Sequence, residues 1–374
     1  MKIGINTWWI DNNRAGITSY SYNLCENLIR TGNAEDLYFF HEAESKNPMY
    51  SKIHEIQNPV RLPKPLNLFG LPLALNKYDI DIFHSLAPFY TDFLPFMLNT
   101  RTKKILTLHD FAPIIYPKTH NRKDVIIWNT LIHGFIKNAD FFISVSENTK
   151  KDCMRIFDIP DEKIRVIPLA PNKVFRQLDK TPELKEKISK KYNIRFPYLL
   201  YVGTLEARKN IPNLLRAFAQ LKSIGFPHKM VIAGMIGWKY QNIFSIIDNL
   251  GIKDEVIFTG FIDYEDLPVL YNFADVFVYP SLFEGFGLPP LEAMSCGTPV
   301  VTSNISSLPE VVGDAAITIN PGNVEELAAA IQNILSDEDL RQRMHEHGIA
   351  RAKEFNWTRT AEETWNVYEL VMES

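Results

Sequence analysis

The sequence predicts an α/β protein made of two doubly wound, parallel-sheet domains in tandem. Three observations carry this expectation. Short apolar runs alternate with longer amphipathic stretches along the chain, the pattern of parallel strands joined by crossover helices. Several runs are nearly continuous in Ile, Leu, Val and Phe, as strands covered on both faces read. The alternation breaks once, over residues 168–191, and then restarts. A length of 374 residues accommodates two domains of ordinary size.

In chain order, strands are expected at residues 2–9, 37–41, 80–85, 104–109, 141–145 and 165–167. Residues 16–30 read as a helix, because Tyr20, Leu24 and Leu28 recur at helical spacing. Pro168, Pro171 and Pro182 mark a hinge that leads into a charged helix. The second series of strands is expected at 198–202, 229–233, 256–259, 276–279, 299–302 and 316–319, with helices at 212–221, 241–250, 265–273, 291–296 and 324–335. Asn323 and Glu326 have capping-box spacing at the start of the last of these. Residues 355–372 form a terminal helix whose Trp357, Trp365 and Tyr368 read as a docking face. The domains are therefore drawn as 1–172, with 356–374 docking back, and 173–355. Two such domains would face one another across a deep cleft, into which the carboxyl ends of the strands open and where ligands bind.

Composition narrows the function. The chain is 46% hydrophobic and 22% charged, ordinary for a globular protein. Its net charge of −4 disfavours a dedicated nucleic-acid binder. Cys25, Cys153 and Cys296 are too few and too scattered for a disulfide framework or a metal cluster, and read as buried small hydrophobes. The opening apolar run meets Asp11 too early for a signal peptide, and no stretch has the length of a spanning helix. A cytoplasmic location is expected.

Four segments carry candidate chemistry. Residues 284–292, E-G-F-G-L-P-P-L-E, follow a strand and open a short helix. Gly285 and Gly287 allow close backbone approach. The amides of Phe286, Gly287 and Leu288 would point out of the helix start toward a phosphate or sugar oxygen. Spacing alone leaves two readings of Glu284 and Glu292: they bracket a ligand, or Glu292 merely favours the helix dipole. Residues 203–210, G-T-L-E-A-R-K-N, place Arg208 and Lys209 at a strand's carboxyl end. A guanidinium fork beside an ammonium suits a diphosphate. Cations at a helix start oppose its dipole, so something anionic should compensate. His109, followed by Asp110, ends a strand of the first half; a lone strand-end His is usually structural, and the neighbouring acid tips the reading toward function. Arg14, Ala15 and Gly16 form a small-residue turn after the first strand. The D-x-D spacing of Asp79 and Asp81 falls at a strand start and reads as flanking charge rather than a metal site.

Together these segments resemble the retaining glycosyltransferases of family 4, which have the GT-B fold. The E-x7-E spacing of Glu284 and Glu292, the G-T-x-x-x-R-K-N stretch, and S-L-P-E-V-V-G-D from Ser307 each match the family's pattern, in order and over nearly the whole chain. The resemblance implies that Arg208 and Lys209 neutralise the donor diphosphate, Glu284 meets the sugar hydroxyls and Glu292 the ribose. Phe286, Gly287 and Leu288 would offer amides, His109 would face the transferred sugar, and Gly16 would lie near the phosphates. Many relatives have two glycines where this chain has Ala15 and Gly16. Retention is implied, the departing phosphate acting as base; with Arg208, Lys209 and the helix-start amides set against the growing leaving-group charge, no metal is expected to be needed.

The L-H-D-F-A-P-I stretch at 108–114 looks like the bacterial mannosyltransferases that build surface polysaccharides, which makes GDP-mannose the first donor and a UDP-sugar the second. The expected partners are the nucleotide-sugar and a glycan or lipid-linked acceptor, with no cofactor and no nucleic acid. The apolar run at 66–75, flanked by Arg61 and Lys64, reads first as an ordinary core helix and otherwise as a membrane contact. A sugar-nucleotide epimerase, a phosphorylase of the same fold and a bilobed binding protein are the competing classes.

Overall fold

The computed structural model describes residues 1–11, 16–31, 34–41, 47–57, 69–98, 101–237 and 242–373. Arg14, Ala15, Arg61, Lys64 and the beginning of the 66–75 run lie outside the described residues. The chain divides into two compact units. One comprises Met1–Ile114, Lys123–Leu169 and Asn356–Ser374, the other Ile115–Arg122 and Ala170–Phe355. Residues 115–122 thus cluster with the second unit, which a single boundary at 172 does not anticipate.

The first unit holds a seven-stranded sheet: β1 (Ile3–Asn6), β2 (Leu37–His41), β3 (His54–Gln57), β4 (Ile82–Ser85), β5 (Lys103–Leu108), β6 (Phe141–Ser144) and β7 (Ile164–Val166). Its order is β3-β2-β1-β4-β5-β6-β7, and every pairing is parallel. The strand expected at 2–9 stops at Asn6, and Trp8–Asp11 turns into a short helix. β3 is the strand that the sequence reading missed. It is a polar edge strand, His-Glu-Ile-Gln, with no residue fully buried, so it lacks the apolar run that marks its neighbours.

The second unit holds a six-stranded parallel sheet: β8 (Tyr198–Val202), β9 (Lys229–Ala233), β10 (Val256–Gly260), β11 (Val276–Tyr279), β12 (Val300–Ser303) and β13 (Ile317–Ile319). The order is β10-β9-β8-β11-β12-β13. In both sheets the order reverses direction beside the first strand of the unit, the topological switch where α/β sheets bind ligands. The core is made from these strands and the helix faces against them: Ile5, Phe39, Phe83 and Leu106 in one unit, Leu200, Val231, Phe277 and Val301 in the other, are all fully buried.

Local chemistry explains the helix ends. Thr181 caps Pro182–Tyr192 by accepting from Leu184 N–H. Asn323 caps Val324–Ser336 by accepting from Glu326 N–H; Glu326 reaches back to the amide of Asn320 rather than to that of Asn323, so half of the expected capping box forms. The terminal helix, Trp357–Glu373, belongs to the first unit. Its Trp357 and Trp365 are buried, and Thr360 donates to the carbonyl of Pro168 at 2.9 Å. All three cysteines are buried and unpaired with one another. Asp81 accepts from the amide of Lys2 at 2.8 Å, tying the starts of β1 and β4 together as strand-flanking charge should.

Candidate active site

The second unit gathers its charged candidates where β8 and β11 end. After β8 the chain forms a single 3₁₀ turn, Ala207–Lys209, and Asn210 enters the helix Ile211–Ser223 with a left-handed backbone, φ 58°. Asn210 donates to the carbonyls of Pro280 and Pro321, which locks this turn against the loop after β11. The Arg208 carbonyl accepts from the amide of Leu282 at 2.8 Å. Arg208 and Lys209 are therefore held by backbone contacts that sequence spacing cannot show.

Their side chains meet two carboxylates. Arg208 pairs with Glu206 at 2.7 Å and with Glu284 at 2.9 Å, and also donates to the carbonyl of Phe283. Lys209 Nζ donates to Glu284 Oε1 and to the Tyr279 hydroxyl, each at 2.7 Å. Ser281 donates to the same Glu284 oxygen. The result is a buried quartet of two cations and two carboxylates, with formal charges that cancel. Glu206 and Glu284 are the compensating anions that the helix-dipole argument required. Burial alone would raise the Glu284 carboxyl, but the charges of Arg208 and Lys209 prevail and hold it at about 2. Burial, then the neighbouring guanidinium, lowers the Lys209 ammonium; the ionised Glu284 against it keeps the pair charged. The Glu284 carboxylate accepts from Arg208, Lys209 and Ser281, and the Tyr279 hydroxyl also bonds to it.

The loop from Glu284 is fixed by two serines on the segment after β12. Ser306, with φ 60°, both accepts from the Glu284 amide at 2.8 Å and donates to its carbonyl. Ser307 donates to the carbonyls of Glu284 at 2.9 Å and Phe286 at 2.6 Å. Gly287 then adopts φ 120°, and a Cβ there would stand 2.8 Å from Leu308 Cδ2, so glycine is required. The helix that follows, Leu288–Ser295, carries Pro289 and Pro290 in its first turn, where no intrahelical donor is lost. Among the described residues, the amides of Phe286, Gly287 and Leu288 donate to no protein group. They are donors without acceptors at a helix start, beside a fixed pair of cations.

Glu292 lies one turn further on and does not join the quartet. Its Oε2 accepts from the Tyr271 hydroxyl at 3.0 Å. Burial, only partly offset by that bond, pushes its carboxyl up to about 7. The two glutamates eight positions apart thus have opposite states: Glu284 is clamped as an anion and Glu292 is poised to release a proton near neutrality.

The other candidates belong to the first unit. His109 follows β5 and is half-buried, with Nε2 at 2.8 Å from the carbonyl of Leu86. A carbonyl only accepts, so Nε2 carries the proton and Nδ1 is left with its lone pair. Burial lowers the pKa of this imidazole, which keeps it neutral at physiological pH. Gly16 is exposed with φ 64° immediately before the helix Ile17–Arg30, and among the described residues no atom lies within 4 Å of where its Cβ would stand. The sequence reading missed Glu206, Ser281 and Ser306 and the buried tyrosines Tyr271 and Tyr279, and it named Ser307 only as the start of a family-like stretch, without this role. Glu206 lies inside the quoted G-T-L-E-A-R-K-N stretch, and its position two residues before Arg208 was the available signal.

Comparison with known proteins identifies the family. Residues 184–351 match the family described as "Glycosyl transferases group 1", and residues 14–170 match "Glycosyltransferase Family 4". The chain is similar to the O-antigen chain mannosyltransferase B of Escherichia coli, 32% identical with 99% of this chain and 100% of that protein aligned. It is also 31% identical to the serotype-specific mannosyltransferase WbdA of E. coli over 76% of this chain, which spans 35% of that longer protein. Among solved structures, sucrose-phosphate synthase from Thermosynechococcus elongatus superposes with a TM-score of 0.77 at 23% identity, covering 100% of this chain and 99% of that one.

Proposed function

The chain belongs to the glycosyltransferases of group 1 and family 4, with the GT-B fold, and from that premise we propose that it is a retaining mannosyltransferase using GDP-mannose. The acceptor is a glycan or lipid-linked oligosaccharide of surface polysaccharide synthesis. The names of its two E. coli relatives support mannose as the sugar. The observation that carries the reading is a single loop that starts at Glu284, the partner of Arg208 and Lys209, and runs on to the three undonated amides of Phe286, Gly287 and Leu288.

The chemistry follows from charge. In transfer, the bond from the anomeric carbon to the β-phosphate oxygen breaks, and negative charge grows on the departing diphosphate. Fixed cations and amides favour that state over the intact donor. Because Glu206 and Glu284 already hold Arg208 and Lys209 in place, little reorganisation is needed as the bond breaks. The acceptor hydroxyl forms the new bond on the same face, and its proton passes to the departing phosphate oxygen. Arg208, Lys209 and the amides would supply the charge neutralisation that a divalent metal could otherwise provide, so the reaction is proposed to need none. Glu284 is the group that meets the sugar hydroxyls, and Glu292 offers its carboxylate to the ribose. In the first unit, His109 presents Nδ1 as an acceptor for a hydroxyl of the transferred sugar, and Gly16 leaves room for backbone approach to the phosphates.

Thermal-shift measurements with GDP-mannose, GDP, UDP-glucose, UDP-GlcNAc and UDP test the donor. A ligand that binds only the folded chain raises Tm with its affinity and concentration. Stabilisation by GDP and GDP-mannose, followed by release of GDP from GDP-mannose, is expected. Stabilisation by the UDP compounds alone would move the donor to a UDP-sugar, and no response to any nucleotide would overturn the reading.

A further inference from the structure

A second polar chain runs through the interior of the first unit, and the proposed chemistry does not use it. Tyr368, on the terminal helix, has its hydroxyl 2.7 Å from His84 Nδ1. His84 Nε2 lies 2.8 Å from Thr107 Oγ1, and Thr107 Oγ1 lies 3.0 Å from the Tyr20 hydroxyl. His84 and Thr107 are fully buried, as is Tyr368, and Tyr20 is 2% exposed. The Tyr20 ring then meets the His109 imidazole edge-on, with centroids 4.8 Å apart.

The strands give this chain its address. His84 and Leu86 alternate along the end of β4, and Thr107 and His109 along the end of β5. Two rungs cross between them: His84 Nε2 to Thr107 Oγ1, and the Leu86 carbonyl to His109 Nε2. The first rung is buttressed on one side by Tyr368 and on the other by Tyr20, and Tyr20 also packs on the imidazole of the second. Apolar residues of the same size would fasten the terminal helix equally well. What the hydroxyls add is direction. Burial, reinforced by nearby His109, pushes the His84 pKa down to about 3, so its imidazole is neutral. A neutral imidazole donates from one nitrogen and accepts at the other. Tyr368 and Thr107 therefore cannot both donate to it, so the tautomer of His84 ties the hydroxyl direction on one side of the ring to that on the other.

We infer that Tyr368, His84, Thr107 and Tyr20 act as positioning residues that fix the His109 imidazole, making the terminal helix a working part of the sugar-facing end of the first unit. This rests on the role proposed for His109. Of the four, Tyr368 is the most remote in sequence from His109, and the bonds described here link it to His109 through the others.

The test is a double-mutant cycle on the full-length protein, read as GDP release from GDP-mannose with kcat and KM separated. His109→Ala is expected to lower kcat. Tyr368→Phe is expected to lower kcat about tenfold with the donor KM within twofold of wild type, and Tyr368→Phe added to His109→Ala is expected to lower it no further. Thr107→Val should reproduce the loss and Thr107→Ser should restore it, which decides the matter even if Tyr368→Phe does not fold. Wild-type kcat in Tyr368→Phe or in Thr107→Val, or losses that multiply in the double variant, would overturn the positioning role while leaving the proposed reaction intact. Wild-type kcat in His109→Ala would instead remove the role of His109, and the inference with it.

Discussion

Replacing Glu292 by Gln should stabilise the free protein and weaken its hold on the donor. In the folded state the carboxyl is moved from 4.5 to about 7, chiefly by burial. An acid whose folded pKa is raised contributes nothing below its unfolded pKa, where both states hold the proton. As pH rises through the interval, the unfolded chain releases its proton first, so stability falls until the folded pKa is passed. At 1.36 kcal/mol per pH unit the full penalty is about 3 kcal/mol above neutrality, and under about 1 kcal/mol at pH 5. Glutamine keeps the acceptor for Tyr271 and carries no such penalty. The variant should therefore unfold about 6–12 °C above wild type at pH 8, by the usual conversion for a unit of this size, with a much smaller gap at pH 5. GDP binding should weaken about tenfold or more, because hydrogen bonds to a charged acceptor are lost. In the wild type, GDP binding near pH 7 should release a proton, since ribose hydroxyls favour the ionised form. Thermal unfolding from pH 5 to 8 and calorimetric titration in two buffers of different ionisation enthalpy measure all three. A stability gap that does not grow with pH, or GDP affinity equal to wild type, would refute the reasoning.

The opposite sign is expected at Glu284. Its folded pKa is lowered to about 2, so its contribution is present above pH 4.5 and disappears as pH falls toward 2. Glu284→Ala should cost about 3 kcal/mol at neutral pH, by stripping a counter-charge from Lys209 and Arg208, and should flatten acid unfolding; denaturant titrations at pH 7 and pH 3 check it. Lys209→Ala should lower turnover about 10²–10³-fold, and GDP release by the purified variant decides it. Gly287→Ala combines φ 120° with a clash against Leu308; it should cost about 1–3 kcal/mol and lower donor affinity, seen as a reduced Tm and a smaller GDP-induced shift. Turnover of GDP-mannose should survive EDTA, and a loss restored by added divalent metal would contradict the assignment of charge neutralisation to Arg208 and Lys209.

The architecture was legible wherever burial on both sheet faces imposed a continuous apolar run. All six strands of the second unit were found from apolar runs, including the edge strand β10, which is apolar although none of its residues is fully buried, whereas the polar edge strand β3 left no comparable trace. The chemistry was legible in part. Arg208, Lys209 and Glu284 stand out by residue type after strand ends, and the structure brings those three together. Their environment was not legible, because it is made by residues distant in the chain. Ser306 and Ser307 fix the Glu284 loop from more than twenty positions away. Tyr368 reaches His84 across 284 positions. Nor does E-x7-E spacing reveal that one carboxylate is clamped as an anion while the other titrates near pH 7; only their neighbours decide that.

A crystal structure with GDP-mannose or GDP bound tests the central electrostatic claim most directly. Diphosphate oxygens should lie within about 3 Å of the Arg208 guanidinium or Lys209 Nζ, and of at least one amide among Phe286, Gly287 and Leu288. A nucleotide whose phosphates sit away from both groups would contradict the account.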